Sequence, residues 1–249
     1  MTTLLLALVA GAIIGIALGG LGGGGSILAV PALIYLLDFT PAAATTASLI
    51  IVAATTATSL NAHARDGNVN WRTGLLFAGA GIVPAMLGGA LADRLPAALL
   101  TGAFSVIALL AGVRMLHSRR ADDDQDRPVR RAQAAGAGAG LGAVTGFLGV
   151  GGGFLAVPAL ISILGLKMKA AVGTSLLVIT ITSLAALTAR TGTADGLRWE
   201  VIAPFTGAAI LGAWDGKRIA SKISSALLQR VFAIVLNAVA AVMLLDAFV

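Results

Sequence analysis

Apolar residues come in long runs separated by short polar or glycine-rich breaks, and the run lengths predict helices. A membrane-spanning helix needs about 20 predominantly apolar residues. The first run, residues 4–18, ends in Gly19-Gly20-Leu21-Gly22-Gly23-Gly24-Gly25. A run of only 12 residues, 26–37, follows. At about 1.5 Å per residue it reaches about 18 Å, short of a hydrocarbon core about 30 Å thick. Fuller segments lie at 43–64, 74–92 and 97–117. Residues 117–133 are polar, with Asp122-Asp123-Asp124 and five arginines, and are expected to form a solvated linker. The pattern then restarts: a run at 134–148, the cluster Gly149-Val150-Gly151-Gly152-Gly153, a short run at 154–164, and segments at 170–190, 200–214 and 224–245.

The restart is an internal repeat. Leu28-Ala29-Val30-Pro31-Ala32-Leu33-Ile34 recurs unchanged as residues 155–161, an offset of 127 (155 − 28), and a glycine cluster precedes both copies. Ser48-Leu49 recurs as Ser175-Leu176 at the same offset. Ala98-Leu99-Leu100 recurs as Ala226-Leu227-Leu228, and Trp71 as Trp199, at an offset of 128 (199 − 71). Collinear matches of this kind point to duplication. The expected domains are a first repeat over 1–117, a cytoplasmic charged linker over 118–133 and a second repeat over 134–249.

Composition narrows the class. Of the 249 residues 58% are hydrophobic and only 11% charged, against about 25% charged in a soluble domain. The mean hydropathy is +0.96. An ordinary cytosolic enzyme is excluded, and so is disorder, which needs low hydrophobicity and high net charge. A membrane barrel would alternate in polarity, so the expected state is helices in lipid. The net charge of +6 suggests nucleic acid only until the charges are placed: they sit in gaps between apolar runs rather than on one basic face, so no nucleic-acid partner is expected. There is no cysteine, and the two histidines, His63 and His117, cannot form a zinc site alone, so no metal or other cofactor is expected. Residues 4–18 resemble a signal-peptide core, but no Lys or Arg precedes them, and a retained membrane segment is expected.

Lys and Arg are enriched on the cytoplasmic side of membrane proteins. With the linker inside, two models compete. If each glycine cluster reverses the chain, so that the first and short runs form a hairpin before three crossings, fourteen of the 17 Lys and Arg fall inside and three outside. An even number of crossings per repeat gives ten against seven. The odd count is preferred, and it turns the second repeat upside-down relative to the first. Five full crossings per repeat would give the same sidedness; the short run's length favours the hairpin. The expected fold is therefore all-α and integral to the membrane, with 8–10 hydrophobic segments in two inverted-topology repeats, each a glycine-cornered hairpin plus about three transmembrane helices. In such transporters broken helices meet near the midplane and point their positive ends at anionic groups.

Residues Gly22-Gly23-Gly24-Gly25-Ser26 running to Pro31, and Gly149-Val150-Gly151-Gly152-Gly153 running to Pro158, resemble the hallmark of the sulfite exporter TauE/SafE family. The stretch His63-Ala64-Arg65-Asp66-Gly67-Asn68-Val69-Asn70-Trp71 is similar to a loop of that family. The resemblance covers essentially the whole chain. It implies a transporter in the cytoplasmic (inner) membrane for sulfite, sulfonates such as sulfoacetate, or related sulfur compounds. The second copy departs from the first: Arg190 stands where the first has His63, and Ala194-Asp195-Gly196 replaces Asp66-Gly67-Asn68.

Candidate substrate-binding residues follow. Gly22, Gly23, Gly24, Gly25, Gly149, Gly151, Gly152 and Gly153 would free backbone N–H groups at two short-helix starts, which bind anions; close helix packing is the alternative use of such residues. Pro31 and Pro158 are expected to shape the short helices. Hydroxyls follow each hairpin: Ser26, Thr45, Thr46, Ser48, Thr55, Thr56, Thr58 and Ser59, then Thr174, Ser175, Thr180, Thr182 and Ser183. Each can donate to a sulfonate oxygen or bond back to its own helix. Ser26, Thr46, Ser48, Thr174 and Ser175 are the candidates taken forward. Asn61, His63 and Arg190 stand near segment ends, and His63 is the near-membrane group that titrates near neutral pH.

All carboxylates lie at segment ends, in loops or in the linker, so no carboxylate proton relay is expected. The expected function is export of a small anionic substrate by alternating access from within the lipid bilayer, with no enzyme activity. A small-solute channel with re-entrant helices is the alternative, followed by an intramembrane enzyme built on Ser26 or Ser48 with His63. The oligomeric state stays open.

Overall fold

The computed structural model describes residues 2–92, 97–117, 131–147, 153–189 and 197–246. Those residues form ten helices: α1 (Thr2–Leu21), α2 (Ser26–Pro31), α3 (Pro41–Arg65), α4 (Trp71–Ala92), α5 (Ala97–His117), α6 (Arg131–Phe147), α7 (Gly153–Ser162), α8 (Met168–Ala189), α9 (Trp199–Lys222) and α10 (Ser225–Asp246). Each run predicted from hydropathy is helical over most of its described residues. Among the described residues four helices are long and apolar enough to cross a membrane, at Thr2–Leu21, Ala43–Arg65, Met168–Thr188 and Ser225–Val242. Shorter apolar stretches lie at Trp71–Leu87 and Ser105–Leu116. Large apolar side chains such as Leu5, Val9, Ile13, Leu87, Leu110, Leu211, Ile234 and Val242 are exposed, as a lipid-facing surface requires.

Two boundaries differ from expectation, for one reason. The linker was expected to reach residue 133, but α6 already begins at Arg131. Segment 200–214 was expected to stop before Asp215, but α9 continues to Lys222. Hydropathy reports what lipid tolerates, whereas Arg, Lys, Ala and Gln propagate a helix in water equally well.

The first hairpin turns through Gly22–Gly25, a tight 3₁₀ turn, into α2. Pro31 lies where α2 widens into a π-helix over Ala32–Leu36. Proline lacks the N–H that would continue the ladder, which loosens the next turn. Pro158 lies inside α7, whose helix is uninterrupted to Ser162. Both short helices end alike. Phe39 N–H donates to the Leu33 carbonyl and Leu166 N–H to the Leu160 carbonyl, each at 3.0 Å. The residue before each donor is left-handed, Asp38 (φ 51) and Gly165 (φ 67). This is the Schellman closure, and all three pairs of residues are 127 apart (166 − 39).

Helix pairing exchanges the two halves of the chain. α1 packs on α9, and α6 on α4. A Cβ on Gly11 would lie 2.4 Å from the Phe205 carbonyl, on Gly15 2.1 Å from that of Ala209, and on Gly19 2.0 Å from that of Ala213. Likewise a Cβ on Gly138 would lie 2.2 Å from the Phe77 carbonyl, and on Gly142 2.1 Å from that of Gly81. Gly11 and Gly15 match Gly138 and Gly142 at an offset of 127 (138 − 11), and Phe77 and Gly81 match Phe205 and Ala209 at 128 (205 − 77). Residue numbers rise together along each pair, so both pairs are parallel. This is small-xxx-small packing, in which the missing side chains let two backbones touch.

α3 and α8 pack on each other between these pairs. Thr56 and Thr180 hydroxyls meet at 2.9 Å near the middle. The turn after α3 reaches the start of α8, where Asn70 N–H donates to Thr174 Oγ1 at 3.0 Å. The two helices are therefore antiparallel. Two apolar cores result. One joins Leu18, Leu33 and Ile51 with Phe205 and Ala209; the other joins Phe77 with Leu155, Leu160, Met168 and Phe232.

Replacing Gly15 or Gly142 with Ala is expected to lower the detergent melting temperature, because the new methyl overlaps a facing backbone carbonyl and overpacking costs about 1–3 kcal/mol. Gly79→Ala meets nothing within 4 Å and is expected to leave the melt unchanged.

Candidate functional site

The first glycine corner is the point where elements of both halves converge. Gly22 is left-handed (φ 68), and a Cβ there would lie 2.6 Å from Ser175 Oγ on α8. Glycine is required at this position on both counts. Two residues singled out from the sequence, one from each half, are thus in contact. The corner does not sit halfway along its neighbours. With Gly19 level with Ala213, at about 1.5 Å per residue it lies about 20–25 Å along α9, close to that helix's charged end. The reason is that α1 does not stop at the first glycines: Gly19 and Gly20 stay helical and pack on Ala213 and Gly216.

The hydroxyls divide into two groups. Ser48 Oγ donates to the Thr45 carbonyl at 2.8 Å, and its repeat partner Ser175 donates to the Val172 carbonyl at 2.7 Å. Thr56, Thr58, Thr180 and Thr182 also bond back to carbonyls of their own helices. The hydrogens of Ser48, Ser175, Thr56, Thr58 and Thr182 are spent locally, the outcome that competes with substrate contact for any helical hydroxyl, while Thr180 shares its one hydrogen between the Leu176 carbonyl and Thr56 Oγ1. Thr174 is buried and accepts from Asn70, the residue whose side chain caps α4 by accepting from Thr73 N–H at 3.2 Å. Thr46 is buried. Thr55 Oγ1 and Ser59 Oγ are buried with no partner. They lie on α3, four residues apart and four and eight residues before His63, on one helical face.

His63 joins three elements. It is buried, and Nε2 donates to the Gly19 carbonyl at 3.1 Å, just before the corner; Nδ1 has no partner. Beside it, Lys217 of α9 donates to the Ala62 carbonyl at 2.6 Å and pairs with Asp66 at 2.7 Å. A cleft of about 490 Å³ opens here, lined by Thr58, Asn61, Arg65, Asp66, Lys217 and Arg218, with Trp214 and Ser221 at its edge. Three cations line it against the Asp66 carboxylate, with Asp215 beside Arg218 at 3.5 Å, so it is net positive. Asn61 is therefore at the cleft, whereas His63, two residues or about 200° further round α3, is buried on another face. The opposite end of α9 is tied differently: the Arg198 guanidinium donates to the Leu37 carbonyl and lies over the Phe39 ring at 4.4 Å.

Of the other sequence candidates, Gly23, Gly24 and Gly25 form the 3₁₀ turn, Ser26 opens α2, and Gly153 opens α7. Gly149, Gly151, Gly152 and Arg190 lie outside the described residues. Sequence inspection missed Lys217, Asp66 and Trp214 as a group, because α9 and the turn after α3 are far apart in the chain. Thr55 and Ser59 were visible only as two hydroxyls among many. No group of His, Asp or Glu that could hold a metal occurs among the described residues.

The Lys217 ammonium holds the Asp66 carboxyl below the usual carboxylate range. A carboxyl lowered by folding stabilises the fold above its unfolded value, and that contribution disappears as the pH falls through the folded value. Thermal melts below about pH 4 are therefore expected to show a small acid-side loss in the wild type that is missing in Asp66→Asn.

The chain matches the sulfite exporter TauE/SafE family over residues 7–243. It is 34% identical over 245 residues to a probable membrane transporter protein of Xylella fastidiosa strain Temecula1, covering 96% of this chain and 94% of that protein. A probable membrane transporter protein of strain 9a5c is 35% identical over the same length and shares. The probable membrane transporter protein YunE of Bacillus subtilis is 26% identical over 231 residues, 82% of each chain. No solved structure matches the chain.

Proposed function

We propose that this chain, a multi-pass membrane transporter that belongs to the sulfite exporter TauE/SafE family, exports small sulfur-containing anions such as sulfite or sulfoacetate across the cytoplasmic membrane by alternating access. The observation that carries the anion reading is the cleft between the end of α3 and α9, lined by Arg65, Lys217 and Arg218 with Thr58 and Asn61; the unpartnered Thr55, Ser59 and His63 lie on another, buried face of the same helix. Hydroxyl donors and cations complement an oxyanion. The antiparallel course of the duplicated helices α3 and α8 supports inverted halves, 1–117 and 134–249, about a charged linker facing the cytoplasm.

Alternating access needs an interface that can slide. α1 is locked to α9, and α6 to α4, by interlocked glycines. The α3–α8 contact is instead bridged by the Thr56 and Thr180 hydroxyls, which re-pair more easily than a glycine seam re-registers. We place the movement there, with α1–α9 and α4–α6 as the rigid cross-half units. The energetics need no further coupling for export, since an inside-negative potential drives each negative charge outward by about 2.3 kcal/mol per 100 mV.

Everted membrane vesicles containing the protein are expected to accumulate sulfite or sulfoacetate saturably when an interior-positive potential is imposed. Uptake of both equal to that of vesicles without the protein refutes the anion reading. Uptake that never saturates refutes alternating access and favours a channel.

A further inference from the structure

The imidazole of His63 carries more information than its place near the cleft. A carbonyl oxygen only accepts hydrogen bonds, so Nε2, 3.1 Å from the Gly19 carbonyl, carries a hydrogen. In the neutral ring Nδ1 then holds a lone pair. Nδ1 is buried and has no partner. A cationic ring with its second N–H buried and unpaired is costly, so the ring in this conformation is the neutral Nε2–H tautomer. A lone pair repels an anion. An oxyanion can meet Nδ1 only if the ring first gains a second proton.

Two further orphans share the same face. Thr55 Oγ1 and Ser59 Oγ are buried without partners, and Thr55, Ser59 and His63 stand one helical turn apart in sequence. Helical side chains lean toward the N-terminus, so the ring overlies Ser59 and Ser59 overlies Thr55. Neighbouring hydroxyls on α3, Ser48, Thr56 and Thr58, bond back to their own helix; these two do not. Three buried polar atoms in one row, none with a protein hydrogen-bond partner, is the arrangement of a polar subsite.

The charges around the ring are few. Lys217 of α9 and Asp66 of the following turn act on it, and they are paired with each other. α1 contains no ionisable side chain, α8 contains only Lys169 at its start, and Arg65 at the end of α3 lines the adjoining cleft with Arg218 of α9. α9 also carries Asp215, paired with Arg218 at 3.5 Å, and Lys222 at its end; among the described residues no carboxylate other than Asp66 acts on the ring, so Nδ1 is the acceptor the geometry offers.

We propose that the Ser59–His63 turn of α3 binds one oxyanion group together with one proton, Ser59 donating to the anion and His63 Nδ1 taking the proton that turns it into a second donor, while Thr55, about 12 Å from His63 along the helix, reaches only the far end of a longer anion such as sulfoacetate. The inference rests on the anion-transport reading and adds a coupling to it: each anion bound at this face carries a proton from water onto the ring and release returns it, so the doubly charged sulfoacetate moves with one net negative charge and is still driven outward by the potential. The atoms have no solvent access in this conformation, so the subsite opens only when the helices packed on α3 move.

The test uses the full chain in detergent, with sulfite and sulfoacetate as probes. Sulfoacetate is fully ionised near neutral pH, so any proton taken up on its binding goes to the protein. The wild type is expected to take up about one proton per sulfoacetate bound, and His63→Gln none. Ser59→Ala is expected to weaken binding of both probes about tenfold, and Thr55→Val that of sulfoacetate alone, each at an unchanged melting temperature. Should His63→Gln fail to fold, ¹⁵N-imidazole spectra of the wild type answer the same question for either probe, with His117→Gln assigning the two rings. The expected change is that Nδ1 of His63 passes from unprotonated to protonated on binding. Binding that leaves His63 neutral, or proton uptake that persists in His63→Gln, overturns the proton coupling alone. Failure of the folded wild type to bind either probe overturns both the coupling and the anion reading.

Discussion

Lipid offers no hydrogen-bond partners and little apolar driving force between helices, so close backbone contact must hold the bundle together. Here that contact is made where glycine removes the side chain. Gly11, Gly15 and Gly19 bring α1 against the α9 backbone, and Gly138 and Gly142 bring α6 against α4. Both seams cross from one half of the chain to the other. Neither half can therefore bury its first helix alone, and each core mixes residues from both. The Gly22 corner, the placement of His63 against Gly19 and the reach of Lys217 to Asp66 all depend on the α1–α9 register.

The same constraint explains the fate of the hydroxyls. In a medium without water a serine or threonine on a helix finds the nearest carbonyl, which is its own. Ser48 and Ser175 do so in matching fashion at equivalent positions. Their recurrence in both copies, which drew attention in the sequence, reflects a shared packing role in this conformation. Thr55 and Ser59 break the rule: at the repeat offset of 127 stand Thr182, which bonds back to its own helix, and Ala186, which has no hydroxyl. What marks them is unsatisfied bonding, a property of the assembled bundle.

The duplication is not matched by equal chemistry. The Lys217–Asp66 pair and the His63–Gly19 bond lie at the end of α3 and the charged end of α9. At positions one offset away the chain has Gly89 for Lys217 (217 − 128) and Arg190 for His63 (63 + 127). The opposite end of α9 is held by Arg198 on Phe39 and the Leu37 carbonyl, whereas its counterpart Asn70 caps α4 with its side chain. A backbone scaffold shared by both halves thus carries different side chains at its two ends, as a carrier with distinct inner and outer faces requires.

The sequence alone determined the helices and the duplication. Run length is set by helix rise against bilayer thickness, and a collinear repeat survives in residue identity, so both are local properties that hydropathy and spacing express. It also marked the glycine clusters as turns, since four consecutive glycines cannot be lost in an apolar helix. It did not determine where the first corner lies, because glycine both ends helices and packs them, and the choice at Gly19 and Gly20 was made by α9. The extension of α9 to Lys222 and the start of α6 at Arg131 were hidden for a related reason: hydropathy is blind to helix that leaves the lipid. The candidate site was legible only as a set of residue types. Tertiary structure decided which of many hydroxyls go unpaired, and it set His63 against Gly19 and Lys217 against Asp66. Those contacts join positions 44 and 151 residues apart (63 − 19 and 217 − 66), and no periodicity in a single strand of sequence encodes them.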